Sequence, residues 1–280
     1  MNDEKEEKKE NFDAGPLVEI NYWRTRMQKI TTWCEQLKGK DFNMVKNAFI
    51  SKSKQHELSQ RGIGNENISK LLNDYNRLDL SLTDKLNEAK DNFKYLSTLE
   101  KFIEPLYKGT PEQIEEALPA LMNTIKMIHT IARFYNTADK MTGLFMKITN
   151  QMITNCKKRI LDGKKSDDIW NRDPAELIKV LESCIKLNKA YKDSYKETKD
   201  KVAEMQRGSG HTPFDFTETQ IFGKFDLLCR RVAKLIEIFT TIQQFQSLAK
   251  HNLENMEELT NSFQNIIKDF QNKRYDLMEY

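Results

Sequence analysis

The chain has 280 residues, enough for one large or two smaller domains, and its 31% charged and 38% hydrophobic residues indicate more surface for each buried residue than a typical globule has. Its 45 basic and 42 acidic residues nearly cancel, which excludes the strong positive field expected of a nucleic-acid or anionic-membrane binder. Because no run approaches about 20 apolar residues and the N-terminus has no apolar core, we expect neither a membrane span nor a signal peptide, and we expect a soluble intracellular protein.

The spacing of the apolar residues predicts an all-α fold. They recur at alternating intervals of three and four, which is one stripe of an α-helix rather than the alternation of a strand. Residues 1–14 mix both charges without an apolar face and are predicted to be a disordered lead-in. The first helix should begin at Pro16, where proline suits the first turn, and end before Gly39.

The next region predicts a short helix, a loop and a long helix. The short helix carries Phe42, Val45 and Phe49, and the polar stretch with two glycines at residues 51–67 reads as a loop. Residues 68–106 then hold the helical spacing and predict a single long helix. An unbroken helix of that length, roughly 60 Å, would exclude a spherical molecule.

Two later helices carry clear start signals. Thr110 is predicted to be an N-cap, with Gln113 three residues later in a capping box, and Asp173 and Glu176 repeat the arrangement. Each cap is followed by a proline, which suits the first helical position. Within the first of these helices, Pro119 should kink or restart the helix because it lacks a backbone donor.

Three further helices complete the predicted fold. One should end near Leu161, and another, whose apolar residues between Ile221 and Ile242 occupy more than one side, should lie at the centre of a bundle. The last begins near Met256 and reaches Tyr280 without a stop signal, so we expect the chain to be cut from a longer one.

These elements together predict an elongated stack of antiparallel helical bundles with long helices. Fifteen Phe, nine Tyr and three Trp are bulky for the seam of an extended two-chain coiled coil, which is the competing interpretation. We place a first bundle segment at residues 15–109 and a second at residues 110–280.

The stretch "ILDGKKSDDIW" invites comparison with a phosphate-binding loop, and it fails that test. Lys158 stands where the motif needs its first glycine, a second lysine separates the first from Ser166, and a helix rather than a strand precedes it. The pattern instead predicts a helix ending at Leu161, with Gly163 as its left-handed cap.

The residue types that form nucleophilic or metal sites are scattered. They are the cysteines at positions 34, 156, 184 and 229 and the histidines at positions 56, 129, 211 and 251. Without a ligand spacing or a close pair, the cysteines are predicted to be small core residues of a reducing compartment, and the histidines ordinary core or surface residues. No serine lies in a Gly-x-Ser-x-Gly elbow.

Two charged or glycine-rich stretches also receive structural interpretations. The "RGSGHT" segment at residues 207–212 is predicted to be a flexible connector, since a dinucleotide loop needs a strand before it. Arg230, Arg231 and Lys234 are predicted to form a solvated helix edge. The sequence therefore predicts no catalytic, cofactor-binding or metal-binding residue, no cofactor and no small-molecule ligand.

Several long blocks together resemble the N-terminal tail region of dynein heavy chains, most closely the axonemal outer-arm gamma type. The resemblance covers residues 14–280 in order. The blocks are "GPLVEINYWRTRMQKI", "NEAKDNFKYLSTLEKFIEPLY", "IKMIHTIARFYNTADKMTGLFMKITNQMI", "IWNRDPAELIKVLESCIKLNKAYKDSY" and "FDFTETQIFGKFDLLCRRVAKLIEIFTTIQQFQSLAKHNLENMEEL".

The resemblance implies a non-catalytic stem of helical bundles in the axoneme of a cilium. Through such a stem, heavy chains would associate with one another and with WD-repeat intermediate chains and light chains. The dimerisation segment that precedes this region in the family, and the ATPase ring and microtubule-binding stalk that follow it, are expected to lie outside this chain. A free-standing helical adaptor derived from a truncated tail is the alternative, and an ATP-using enzyme is a third hypothesis.

Overall fold

The computed structural model describes residues 15–58, 65–162, 169–170, 172–205, 212–249 and 255–272, and all regular structure in these ranges is helical. The elements are α1 Pro16–Lys38, α2 Lys40–Leu58, α3 Asn65–Leu96, a 3-10 helix Ser97–Phe102, α4 Ile103–Lys108, α5 Pro111–Ile131, α6 Ala138–Leu161, α7 Pro174–Met205, α8 Glu218–Ala249 and α9 Met256–Asn272. The prediction of an all-α fold is confirmed.

The predicted start signals form as hydrogen bonds. The backbone N–H of Thr110 donates to Gln113 Oε1 (2.8 Å), and the backbone N–H of Gln113 donates to Thr110 Oγ1 (3.3 Å), so the capping box is complete. The backbone N–H of Glu176 donates to Asp173 Oδ2 (3.0 Å) at the start of α7. Both caps satisfy backbone donors that have no partner within their own helix.

The predicted loop at residues 51–67 is shorter than the sequence indicated. α2 continues to Leu58 and α3 begins at Asn65, so both ends of the predicted loop are helical. The stretch after Phe49 is rich in Lys, Gln, Glu and Leu, which are good helix formers and extend a helix without an apolar stripe. Residues 59–64, which include both glycines, lie outside the described part.

The single long helix predicted after this loop is wrong, because α3 ends at Leu96 and a 3-10 helix follows. Ser97 Oγ donates to the carbonyl oxygen of Lys94 (2.9 Å), and Thr98 Oγ1 donates to that of Tyr95 (2.6 Å). Such side chains compete with the backbone for carbonyl acceptors and favour a change of helix type. The absence of glycine and proline from this stretch therefore did not reveal the break.

Two details of α5 and α6 also differ from prediction. α5 runs continuously through Pro119, so the predicted restart does not occur, and the exposed position of this proline keeps it away from the packed face. The left-handed residue after α6 is Asp162 (φ 51°, ψ 36°), whereas Gly163 lies outside the described residues. Arg172 donates to the carbonyl of Ile160 (2.7 Å) and so satisfies this helix end.

Contacts divide the chain into two compact units. The first comprises the described residues of Met1–Val18, Leu99–Thr130 and Asn136–Tyr280, and the second comprises Glu19–Thr98 and Ile131–Tyr135. The sequence-based division at residues 109 and 110, and the stacking of bundles, stay predictions.

The first unit is built around α6, α7 and α8. Phe145 faces Tyr195 (ring centroids 5.4 Å apart) and Thr149 Oγ1 lies 3.4 Å from the hydroxyl of Tyr191, so α6 and α7 run antiparallel. α8 packs against both α6 and α7, which agrees with its predicted apolar contacts on two sides. Phe145, Ile148 and their neighbours on the α6 stripe are fully buried.

Polar residues on α6 hold the end of α4 within this unit. Asn155 Nδ2 donates to the carbonyl oxygens of Leu106 (3.1 Å) and Gly109 (3.0 Å), and an Arg159 guanidinium nitrogen donates to that of Lys108 (3.0 Å). The last carbonyl oxygens of a helix receive no hydrogen bond from the N–H groups of that helix, and these side chains supply the missing donors. The side chain of Asn155 is buried, which makes this cap part of the core.

The second unit contains α1 from Glu19 onwards, α2 and α3. One stripe of α1, with Ile20, Trp23 and Ile30, is buried, and the C-terminal half of α3 is buried at Ala89 and Leu96. α2 and α3 contact each other as consecutive helices separated by six residues, which is within the usual length of connections between antiparallel neighbours in helical bundles.

Candidate interaction surface

Several stretches that the sequence singled out lie outside the described residues. They are residues 163–166 of the glycine-lysine stretch, residues 207–211 of the predicted connector, His211 and His251. His56 lies in α2, but its side chain is not described. The predictions for these positions stay predictions.

Three of the scattered cysteines converge in the first unit. Cys156, Cys184 and Cys229 lie on α6, α7 and α8, and the Cys156 thiol hydrogen-bonds that of Cys184. This hydrogen bond and burial raise the pKa of Cys156, and burial raises the pKa of Cys229 to about 12. The raised pKa values suppress the reactive thiolate of Cys156 and Cys229, and Cys184 is buried, so the three residues fit the predicted role as small core residues.

His129 is a buried core residue in an aromatic cluster. Its ring lies edge-on to Phe214 (5.4 Å between centroids) and Phe216 (5.5 Å), and its Nδ1 has no hydrogen-bond partner in the described part of the chain. Burial lowers the pKa of His129, which keeps the imidazole neutral. This environment agrees with an ordinary core histidine.

The described residues contain no cluster of three or more His, Cys, Asp or Glu side chains placed to hold a metal ion. No described helix combines the length and the apolar character that crossing a bilayer requires. A shallow cavity of about 430 Å³ between the start of α6 and the segment before α8 includes Asp139 and Asp215 in its wall. Lys199 already pairs with Asp215 (2.6 Å), and we assign no ligand to this cavity.

The predicted basic edge of α8 is a solvent-facing helix edge. Arg230 is exposed, Arg231 is half-buried, and Lys234 Nζ lies 3.9 Å from a carboxylate oxygen of Glu237, three residues along the same helix. Such exposed pairs contribute little to stability, and the arrangement agrees with the interpretation as a solvated edge.

The α2–α3 hairpin contains a different kind of surface. Phe42 stacks on Tyr75 of α3 (5.4 Å between ring centroids), and Lys46 Nζ lies 4.5 Å from the same ring, so this side of α2 faces α3. Beside that contact line, Val45 and Leu78 are each 53% exposed although both continue the apolar stripes of their helices. These stripes therefore extend beyond the contact that the hairpin itself makes.

The exposed edges of the two stripes lie on one side of the hairpin. At 100° per residue, Val45 is displaced by about 60° from Phe42, while Leu71 and Leu78 are displaced by about 40° and 60° from Tyr75 in the same rotational sense. Equal displacements on two antiparallel right-handed helices point to the same side of the pair. We call the set Phe42, Val45, Phe49, Leu71 and Leu78 the hairpin surface.

Two other exposed apolar residues of the hairpin lie elsewhere. Met44 lies roughly 160° from Phe42 around α2, and Leu80 lies roughly 140° from Tyr75 around α3. Both are more exposed than any member of the hairpin surface. Single exposed apolar residues are common in proteins, whereas a contiguous apolar face marks an interaction site.

The sequence analysis found the residues of the hairpin surface and missed their exposure. Their spacing predicted helices with an apolar stripe, as it did for α6, and nothing in that spacing tells a buried stripe from an open one. The available signal was the polar run at residues 51–57 of α2, which has no apolar side chain to cover α3.

The described residues form an all-α protein whose helices pack together and whose α2–α3 hairpin leaves an apolar helical face exposed. A family model described as dynein heavy chain, N-terminal region 1, matches residues 1–280, so the chain belongs to the dynein heavy chain family through that region. The resemblance in the sequence blocks is thereby confirmed.

Curated relatives agree with this family. The chain is 40% identical over 273 residues to the dynein gamma chain, flagellar outer arm, of Chlamydomonas reinhardtii. It is 35% identical over 272 residues to dynein axonemal heavy chain 8 and to dynein axonemal heavy chain 5 of Mus musculus. These matches cover 97% of this chain and 5–6% of each relative, so the chain spans a small part of their length.

Proposed function

We propose that this chain is a non-catalytic tail segment of an axonemal dynein heavy chain of the outer-arm type. Its helices provide a scaffold for association with other heavy chains and for binding intermediate and light chains, and so help to anchor a microtubule motor in the ciliary outer arm. The family match and the relatives' names support the place of the segment in a heavy chain of the axoneme.

The hairpin surface is the observation that carries the proposed scaffold role. Val45, Leu71 and Leu78 leave about half of each side chain exposed on one side of two adjacent helices. A helical pair with an open apolar face completes its packing by adding helices, which is how four-helix bundles bury their cores. The face therefore fits an amphipathic helical hairpin better than an extended peptide.

We assign the occupant of the hairpin surface to the helical tail of another dynein heavy chain. The charges around the surface are mixed, with Lys52 on α2 and, on α3, Asp74, which pairs with Arg77. Mixed charges suit a protein helix with its own mixed charges and argue against nucleic acid or an anionic membrane. Apolar residues at i, i+3 and i+7 on α2 match the anchor spacing of helix-to-helix recognition.

The test is recovery of outer-arm subunits from axonemal extract by the immobilised chain, with heavy and intermediate chains identified by mass spectrometry. The double variant Val45→Asp/Leu78→Asp should recover at least tenfold less heavy chain than the wild type. Met44→Asp/Leu80→Asp, which adds the same charges outside the hairpin surface, should recover as much as the wild type.

Two results would count against the scaffold role of this surface. One is equal recovery by the wild type and a Val45→Asp/Leu78→Asp variant whose helix content by circular dichroism is unchanged. The other is recovery of no dynein subunit by the folded wild type. If the double variant loses helix content, the milder Val45→Ser/Leu78→Ser variant replaces it and must still reduce heavy-chain recovery.

A further inference from the structure

α1 carries an exposed face that alternates aromatic and basic side chains. Tyr22, Arg26, Lys29 and Trp33 occur at i, i+4, i+7 and i+11, which places them along one line of the helix over roughly 16 Å. Tyr22 is 52% exposed and Trp33 is 51% exposed, and the buried stripe of the helix lies to one side of them. We call these four residues the α1 face.

The α1 face rests on a fixed support. Trp23 is buried, and its indole N–H donates to Glu19 Oε1 (2.9 Å), which also accepts a hydrogen bond from the Tyr135 hydroxyl (3.0 Å). The Tyr22 ring meets the Trp23 ring edge-on at 5.1 Å, and the Arg26 guanidinium lies 6.0 Å from the Trp23 ring centroid. A held aromatic ring therefore orders half of the face before any partner arrives.

The charge on this face is not neutralised by the helix that carries it. No ion pair of the described residues involves Arg26 or Lys29. Glu19, a carboxylate one turn before Tyr22, is engaged by Trp23 and Tyr135, and Glu35 lies on another side of α1. Three of the four residues of the face are Tyr, Arg and Trp, the residue types most enriched among interface hot spots.

We propose that the α1 face is a docking site for an acidic, glutamate-rich peptide segment of a partner protein. Carboxylates would pair with Arg26 and Lys29 at the middle of the face, and the aliphatic parts of the peptide would pack on Tyr22 and Trp33 at its ends. Arg26 can bind a carboxylate through two parallel N–H bonds, which gives the contact direction as well as charge.

Two other anionic partners fit this face less well. Nucleic-acid binders neutralise many phosphates along a broad basic surface, and this face supplies two cations in a chain with a net charge of only +3. A membrane-bound helix needs a wide exposed apolar side, while Ile20, Trp23 and Ile30 on the apolar side of α1 are buried. A short acidic peptide matches both the charge count and the length.

This proposal goes beyond the scaffold role of the hairpin surface and does not depend on it. The probe is a fluorescein-labelled peptide of twelve glutamates, titrated with the full chain and followed by fluorescence anisotropy at low salt. We expect saturable binding that weakens as ionic strength rises and quenching of tryptophan fluorescence that Trp33→Phe removes. A twelve-residue glutamine peptide should not bind.

The decisive comparison is between two charge reversals of equal size. Arg26→Glu/Lys29→Glu should weaken binding of the glutamate peptide at least tenfold, while Lys38→Glu/Lys40→Glu, on another side of α1 and at the start of α2, should weaken it less than twofold. Equal weakening by both variants would mean that net charge alone is sensed and would overturn the proposal.

Three other results would also overturn it. They are no saturable binding of the glutamate peptide, equal binding of the glutamine peptide, and competition by phosphatidylserine vesicles or a DNA oligonucleotide at lower concentrations than the glutamate peptide. The milder variant Arg26→Gln/Lys29→Gln keeps the comparison valid if the reversal unfolds α1, because it must still weaken binding in a fully helical chain.

Discussion

The α6–α8 bundle and the α2–α3 hairpin have the same kind of apolar helical stripe, but the stripes differ in how far they are buried. Phe145, Ile148 and Met152 form a helical stripe on α6 that is fully buried, whereas Phe42 and Val45 form an equivalent stripe on α2 that is 37% and 53% exposed. The difference lies in the neighbours, since within the described part of the chain α6 packs against the long helices α7 and α8, whereas the extensive contact of α2 is with α3.

This comparison separates two uses of an apolar stripe. Burial of a complete stripe contributes about 25 cal/mol for each Å² removed from water, and in the bundle that contribution goes to folding. In the hairpin, half of the stripe stays in water, and the same contribution becomes available only when another surface covers it. The bundle is therefore expected to dominate folding stability and the hairpin to dominate association.

The largest expected effect comes from the same substitution made in both regions. Phe145→Ala should lower the free energy of unfolding by about 3–5 kcal/mol, because the side chain is fully buried against Tyr195, Phe214 and Phe216. Phe49→Ala should lower it by less than about 1.5 kcal/mol, because that ring is partly exposed. Chemical denaturation measures both, and equal losses would contradict the comparison.

The next effect tests the polar cap inside the first unit. Asn155→Leu should lower the free energy of unfolding by about 2–3 kcal/mol, because it removes the side-chain donor of the Gly109 carbonyl and leaves the Leu106 carbonyl only the longer bond from Gln151 Nε2 (3.5 Å). Asn123→Leu on the exposed side of α5 is the control and should change it by no more than about 0.5 kcal/mol. If Asn155→Leu leaves the free energy of unfolding unchanged, the cap is dispensable for stability.

Stability should also depend on pH through His129. Burial lowers the pKa of its folded form below that of the unfolded chain, so the unfolded state binds more protons as pH falls below about 6.5. His129 therefore does not reduce the free energy of unfolding above that pH, and reduces it progressively as the pH falls towards 5. The free energy of unfolding changes through this residue by at most about 1.4 kcal/mol per pH unit.

The control for the pH dependence is His129→Gln, which removes the titrating group. Its unfolding free energy should fall less steeply between pH 7 and pH 5 than that of the wild type, whatever its absolute stability. Urea denaturation at each pH measures this free energy. If it falls equally steeply with pH in the variant and in the wild type, a charged His129 is tolerated in the folded chain.

A smaller effect is expected at the start of α7. Asp173→Ala should lower the free energy of unfolding by about 1 kcal/mol, because the backbone N–H of Glu176 loses its acceptor. Asp193→Ala, an exposed change in the interior of the same helix, should stay within about 0.5 kcal/mol. Thermal unfolding followed by circular dichroism can compare the pair, and an equal loss in both variants would argue against the cap.

The smallest expected effect on folding falls on the hairpin surface. Leu78→Ala should change the free energy of unfolding by about 0.5 kcal/mol or less, because about half of the side chain is already in water. Chemical denaturation measures this loss. A loss as large as that of a core Leu→Ala change, about 2–5 kcal/mol, would contradict the account.

Helix starts and buried stripes were predictable because their causes are local. Thr110 and Asp173 each predict a helix start together with a residue three positions later. The stripe of α6 follows from spacing alone. The all-α fold was available from such patterns, whereas the family resemblance came from long sequence blocks that match in order.

Features that depend on distant residues were not predictable in the same way. Asn155 reads as a polar interruption of a stripe, and its role appears only when α4 ends beside it. The meeting of Cys156 and Cys184 requires the antiparallel register of α6 and α7. The break after Leu96 is a competition between side-chain and backbone donors that spacing does not reveal. Whether an apolar stripe of the hairpin is covered likewise depends on which other helices pack against it, and spacing does not give that.

The most direct test of the central claim is hydroxyl-radical footprinting of the chain alone and bound to purified outer-arm heavy chains. In the free chain, Val45, Leu71 and Leu78 should be oxidised while Phe145 and Ile148 stay protected. On binding, the hairpin surface should become protected, while Met44 and Leu80 remain oxidised. Protection of the hairpin surface in the free chain, or unchanged oxidation of that surface in the complex, would contradict the account.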